Sequence, residues 1–449
     1  MTAFPVPARE GRAPVIGWYG DDFTGATDTL ATLAHAGLRA MLFLRVPAQD
    51  ELAAAGALDA VGIAGAARAM SVPAMREELA PVGAFFRDLG VSVLHYKMCS
   101  TFDSAPDKGN LCTAIRTLGA YVESPFVPVV GGQPNLGRYC VFSHLYAQAG
   151  AHGQVYRIDR HPTMSHHPVT PMGESDLRLH MQAQGVESMG SMHYPEYAQS
   201  EEAQDASLTA QRNRLAEGGQ GQQPVLFDVA HEAHLAHVGR MIWREAERRM
   251  LLAVGASSVA RSLLAHWGCA GKEETRAPGP AQGPVFVFAG SLSPVTLGQV
   301  RAATAYRHVA VDGALLLDDA AYRSRKLDEV TALLRSGENA LACTNLSGAV
   351  DTSRAPLVAR ISADFVAQVV GRMAGIAPLR RVGIAGGDTS SQVTRALDVW
   401  GLSYLCSVSP GVTLSRVHSH DRQLDGMELM LKGGQVGSED LFNRFAARA

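Results

Sequence analysis

The sequence predicts an α/β protein made of two α/β domains, with mostly parallel sheets facing across an interdomain cleft. Three observations lead there. Short β-branched runs alternate with longer helical patterns, and the runs are apolar throughout, as strands covered on both faces must be. The chain has 449 residues, 47% hydrophobic and 18% charged, which supplies apolar material for two cores. One stretch, 267–284, holds Gly268, Gly271, Pro278, Gly279, Pro280, Gly283 and Pro284, a composition that no long helix or central strand tolerates. We therefore expect an N-terminal domain over 1–266, a linker over 267–284 and a C-terminal domain over 285–449.

In chain order, 15–19 reads as a strand and 28–36 as a helix stopped by Gly37. Residues 39–44 form the next strand, 61–65 another apolar run, 73–89 a helix and 91–96 a strand. Strands are also expected over 127–130 and 139–142. The Gln-, Glu-, Ala- and Gly-rich segment 196–224 reads as a surface excursion around a polar helix, and 231–266 as helical. Past the linker the rhythm resumes: strands over 285–288, 308–311, 340–344 and 381–385, and helices over 295–306, 327–336, 362–375 and 390–400.

Composition narrows the function. A formal charge of −3 favours neither nucleic acid nor an anionic membrane as partner. No apolar run is long enough for a bilayer, and residues 1–14 lack the apolar centre of a signal peptide, so they read as a short disordered lead. The six cysteines include no Cys-x-x-Cys pair, a usage that suits reduced thiols in the cytoplasm. A homodimer is compatible with these features.

Four segments carry candidate chemistry. Gly20-Asp21-Asp22-Phe23-Thr24-Gly25-Ala26-Thr27-Asp28 follows the first strand and opens a helix. Ligands bind at that end of parallel strands, and paired carboxylates there beside helix N–H groups suit a substrate with both a hydroxyl and an acid group. Plain helix capping accounts for one such residue but not for the cluster. Lys97-Met98-Cys99-Ser100-Thr101-Phe102-Asp103-Ser104 lies at another strand end and offers a cation, a carboxylate and hydroxyls for a polyol. The loop from Arg160 and His161 through His166 to Met172 has three prolines and no periodicity; Arg160 is a natural fork for a carboxylate. Gly386-Gly387-Asp388-Thr389-Ser390-Ser391 places glycines and hydroxyls at a helix N-terminus after a strand, the arrangement that holds phosphate. Gly290-Ser291-Leu292-Ser293-Pro294-Val295-Thr296 repeats that plan, and Lys432-Gly433-Gly434-Gln435-Val436-Gly437 adds flexible backbone with a cation. The chain contains neither a Walker A nor a Gly-x-Gly-x-x-Gly sequence. His231-Glu232-Ala233-His234 misses the zinc-protease pattern because Leu235 stands where His is needed, so no protein metal site is expected.

In this order and spacing the segments resemble the four-carbon acid sugar kinase family over nearly the whole chain. The resemblance implies ATP-dependent phosphorylation of threonate, erythronate or 3-oxo-tetronate, with ATP and Mg²⁺ as cofactors. It implies a sugar-acid-binding N-terminal domain and a nucleotide-binding C-terminal domain. Nucleotide contacts would fall on Ser291, Gly386, Gly387, Asp388, Thr389, Gly433, Gly434 and Gly437. The acid would meet Thr24, Lys97, Ser100, Thr101, Arg160, His161 and His166, with catalysis by Asp22, Asp21 and Asp103. Asp22 is the expected base, with Asp103 next in line, and Arg160 the expected carboxylate clamp. The form Cys-Ser-Thr-Phe-Asp-Ser leans toward 3-oxo-tetronate. The competing readings are a non-catalytic sensor that keeps both pockets, and an aldolase or isomerase of the same acids.

Overall fold

A computed structural model describes residues 13–150, 153–166, 170–218, 221–269, 278–290, 293–344, 354–409, 411–434 and 436–447. The chain forms two units, one of Met1–Ala40 with Ala48–Lys272, the other of Met41–Pro47 with Glu273–Ala449.

The first unit is built on seven parallel strands: β1 (Ile16–Gly20), β3 (Ala60–Ala64), β4 (Val93–Lys97), β5 (Phe126–Gly131), β9 (Gly190–Met192), β10 (Gln223–Asp228) and β11 (Leu251–Gly255). Their order is β3-β1-β4-β11-β5-β10-β9. Nearly every residue in them is buried, because helices cover both faces. The polar segment forms the helix Glu201–Glu217, which buries only Gln204 and Leu208. Two sequence expectations change. Residues 231–266 are not helical throughout: Leu251-Leu252-Ala253-Val254-Gly255 is apolar on every side and enters the sheet as β11, between the helices His234–Ala246 and Ser258–His266. Residues 138–141, β6 (Arg138–Val141), leave the main sheet and pair antiparallel with β7 (His144–Gln148), which pairs with β8 (Val155–Arg157).

The second unit contains β12 (Val285–Ala289), β13 (Arg307–Val311), β14 (Ala340–Thr344), β15 (Arg381–Ala385), β16 (Gly401–Ser409), β17 (Val412–His418) and β18 (Glu428–Lys432). Strands β13, β14, β12, β15 and β18 are parallel and adjacent in that order. The hairpin β16–β17, which the sequence reading did not include, continues the sheet antiparallel from β18. The unit also captures β2 (Ala40–Phe43), read from sequence as part of the N-terminal domain: Phe43 and Leu42 register against Gly401 and Leu402 of β16, and Phe43 stacks on Trp400 at 5.8 Å. Among the described residues no helix is long and apolar enough to cross a membrane.

Candidate active site

In the first unit, β1 and β4 are neighbours in register, Gly20 opposite Lys97, so their loops leave the sheet side by side. The Asp21 N–H donates to the Lys97 carbonyl at 2.8 Å. Asp22 caps the helix Phe23–His35 by accepting the Gly25 N–H. The residue that joins the cluster is one the sequence reading did not select. Arg68, just past β3, donates to Asp21 Oδ1 at 3.1 Å and also pairs with Asp22 Oδ2. No local signal marked it, since Arg68 stands four residues past the end of β3 and only the tertiary fold brings it to the carboxylates. Gly25 is required by close approach, since a Cβ there would stand 2.5 Å from Lys97 Nζ and 2.6 Å from Asp22 Oδ1. Lys97 is buried and donates to the Met98 carbonyl at 2.8 Å.

This geometry separates the two carboxylates. Burial raises Asp21 from its ordinary value, against the pull of Arg68. Burial acts on Asp22 too, but Arg68 and Lys97 outweigh it and hold Asp22 low, so it stays ionised. In the neighbouring loop Thr101 Oγ1 donates to Asp103, and the buried Phe102 between them sits at φ +59°, a strained conformation for an aromatic residue. Cys99 is no nucleophile: burial, then Asp103, push its thiol up to about 11. The Thr24 hydroxyl is buried with no partner, as a group awaiting a ligand would be. Ser100 lies half-buried in the same loop.

The third predicted segment divides. His161 is buried, and its Nδ1 accepts the N–H groups of Thr163 and Met164 at 3.2 Å each. Arg160 is 75% exposed and pairs with Asp159 at 3.5 Å; His166 is exposed and bonded to Ser165. The structure thus gathers Asp21, Asp22, Thr24, Lys97, Thr101 and Asp103 around Arg68, and leaves Arg160 and His166 at the surface. Residues 167–169 of that loop lie outside the described residues.

In the second unit, β12, β15 and β18 are adjacent and parallel, with Ala289 opposite Ala385 and Ala385 opposite Lys432. The three glycine-bearing loops therefore emerge together at the carboxyl ends. Gly386 takes φ +128°, open to glycine alone, and starts the helix Gly387–Ala396, whose first turn has no side-chain cap. The Ser390 hydroxyl there is buried and unpartnered. Gly290 packs so closely on Thr389 that a Cβ would lie 2.3 Å from Thr389 Oγ1. The third loop is fixed by the helix Pro294–Ala302: Thr296 Oγ1 donates to the Gly434 carbonyl at 3.0 Å, and Gln299 donates to the carbonyls of Val436 and Gly437 at 3.1 and 3.0 Å. Lys432 is fully buried; its Nζ donates to Thr296 Oγ1 at 2.9 Å, and desolvation lowers it to about 7. Ser291 and the side chain of Asp388 lie outside the described residues.

Among the described residues no three His, Cys, Asp or Glu side chains gather as a metal cage. That donor set fits Mg²⁺ only as an ion carried mainly on phosphates, which asks for one or two carboxylates at most.

Comparison with known proteins agrees with this division of labour. A family model described as a sugar-binding N-terminal domain matches residues 16–263, and one described as a nucleotide-binding C-terminal domain matches 286–442. A 3-oxo-isoapionate kinase of Paraburkholderia graminis is 34% identical over 95% of this chain and 93% of its own length. A 3-oxo-tetronate kinase of Pectobacterium atrosepticum is 31% identical over 96% and 98%. A crystal structure from Salmonella typhimurium LT2, described as a tRNA synthase, matches with TM-score 0.76 at 25% identity, covering 96% of this chain and 98% of that one. Matched in both halves and aligned end to end with these kinases, the chain belongs to the four-carbon acid sugar kinase family and is an enzyme that phosphorylates a sugar acid.

Proposed function

We propose that the enzyme transfers the γ-phosphoryl group of ATP to the terminal hydroxyl of a 3-oxo sugar acid with a four-carbon main chain. The observation that carries this reading is the trio of glycine-bearing loops around buried Lys432, a site shaped for phosphate by backbone N–H groups and one cation. Ser291, Gly386, Gly387, Asp388, Thr389, Gly433, Gly434 and Gly437 are the nucleotide contacts of this proposal. The acid is held by Thr24, Lys97, Ser100, Thr101 and His161 beside the Asp21–Asp22–Arg68 cluster. A four-carbon acid oxidised at C3 keeps a hydroxyl at C4, and that oxygen is the acceptor.

Asp22 orients this hydroxyl and takes its proton. Its low basicity is no obstacle, because phosphoryl transfer passes through a loose transition state in which positioning and charge neutralisation dominate. Mg²⁺ bound with the phosphates supplies charge neutralisation at the transferred group. Arg68 fixes both carboxylates, with burial raising Asp21 while Arg68 and Lys97 hold Asp22 low and ionised. Asp22→Asn is expected to lower kcat by roughly 10²–10⁴-fold with ATP binding preserved. Normal turnover in that variant would move the base to Asp103.

The acid itself has two first candidates, because the 34% relative carries the name 3-oxo-isoapionate kinase and the 31% relatives the name 3-oxo-tetronate kinase. An ADP-release assay over 3-oxo-tetronate, 3-oxo-isoapionate, threonate and erythronate decides. We expect turnover on a 3-oxo acid and at least tenfold less on threonate and erythronate; ADP release independent of any acid would refute the proposal.

A further inference from the structure

A half-buried arginine in the first unit has no assigned role. Arg138 opens β6, next to the turn Pro134–Leu136. Its Nη1 donates to the Leu136 carbonyl. Its Nε is buried and has no hydrogen-bond partner, and among the described residues the side chain forms no ion pair. An arginine carries five N–H donors and keeps its charge at any working pH, so a buried Nε with no partner is costly unless an anion comes to it.

The surroundings say which anion. Burial pushes Arg138 down, opposed by its neighbour Tyr139 and, more strongly, by Cys99 and Asp103 of the β4 loop. Those same two groups bear on Arg68. The backbone pairs Arg138 with Gln133, whose amide donates to Asp28 Oδ2 of the Gly20–Asp28 segment at 3.5 Å, which sets Arg138 beside the acid cluster; there Arg68 is already paired with Asp21 and Asp22. Arg138 is not. His161, which also feels Arg138, is lowered by burial and stays neutral, so it adds no competing cation. Arg160, the residue that sequence suggested for this task, points to solvent with Asp159.

We propose that Arg138 is the specificity residue that binds the carboxylate of the sugar acid, through the Nε and Nη2 edge of its guanidinium. With Nη1 held by Leu136, that edge is the one left for a side-on, two-point contact with both carboxylate oxygens. With the acid group gripped there, the terminal hydroxyl is left to face Asp22. This rests on the sugar-acid kinase reading above, and the test separates the two.

The probes are 3-oxo-tetronate and erythrulose, the same four-carbon ketone with a CH₂OH in place of the carboxylate. Binding is measured by calorimetry without nucleotide, and kcat and KM by ADP release. In the wild-type enzyme the acid should be preferred strongly. Arg138→Gln should weaken acid binding roughly 10- to 100-fold, leave KM for ATP within twofold, and leave erythrulose kinetics unchanged, so that discrimination collapses. Arg138→Lys keeps the charge and the fold but lacks the fork, and should recover only part of the affinity. Acid binding within twofold of wild type in folded Arg138→Gln or Arg138→Lys, with discrimination intact, overturns the assignment while the kinase reading stands. A wild-type enzyme that neither binds nor phosphorylates any sugar acid overturns the kinase substrate reading, and the role of Arg138 with it.

Discussion

Single side chains set the chemistry of each site, and two of them can be tested by their charge or size alone. Lys432 is lowered to about 7 by desolvation, from an ordinary value of 10.5. Between these two values the unfolded chain binds the extra proton and the folded protein does not. Its effect on stability is therefore a cost, full below pH 7 and relieved as pH rises toward 10.5. Phosphate binding reverses the preference, because an anion favours the ammonium and draws a proton onto Lys432. ATP affinity should then fall as pH rises from 7.5 to 9, above the range where phosphate itself titrates near roughly pH 6. The slope should approach tenfold per pH unit and flatten in Lys432→Met; calorimetry in buffers of different ionisation enthalpy would show proton uptake in the wild type alone. At the other site, Gly25→Ala places a methyl group against Lys97 Nζ and Asp22 Oδ1. Neither neighbour retreats freely, because Lys97 Nζ is held by the Met98 carbonyl and Asp22 by Arg68. KM for the acid should rise at least tenfold while ATP binding is untouched, measured by ADP release and nucleotide titration.

Elements decide where those side chains stand, and they show how far the sequence could be read. The strand–turn–helix plan at Gly20–Asp28 and at Gly386–Ser391 was legible because an apolar run, a glycine and hydroxyls at a helix start each have one physical meaning, and they coincide. Strand β11 was not legible in the same way. Its apolar run lies between two amphipathic helices, and five apolar residues fit a buried helix as well as a buried strand. Arg68 and Arg138 escaped for a different reason: nothing local marks an arginine as buried, and only the tertiary pairing of β1, β3 and β4 brings Arg68 onto two carboxylates. Arg381 is a similar case with a structural task. It is 2% exposed at the start of β15 and donates to Glu428 at 2.6 Å, to the Phe445 carbonyl at 3.0 Å and to the Gly279 carbonyl at 2.8 Å. It thereby ties the strand that carries the Gly386 turn to the helix Leu441–Phe445. Arg381→Met should lower stability by about 2–3 kcal/mol in urea unfolding, because the charge-assisted bonds are lost and the buried Phe445 carbonyl is left unpaired. Turnover of the folded fraction should be unchanged.

At the scale of the whole molecule, the two units are not two consecutive pieces of chain. Met41–Pro47 leaves the first unit, lays β2 against β16 and returns at Ala48. Phe43 in this excursion is fully buried and stacks on Trp400, while Gly401 and Leu402 find their backbone partners in it. The second unit therefore completes its sheet with a strand supplied from more than 200 residues upstream, and without it the edge of β16 would be left open to other chains. The consequence is a mutation whose effect appears in the other half of the sequence. Phe43→Ala should cost about 3–5 kcal/mol, the usual loss for emptying a buried phenylalanine site. That loss should fall on the unit that binds nucleotide. Hydrogen exchange would show faster opening of β16 and β17, with β1, β4 and β11 little changed, and saturating ATP should restore part of the protection because it binds only the folded unit. Faster exchange confined to β1 and β3 would mean that β2 belongs energetically to the first unit after all.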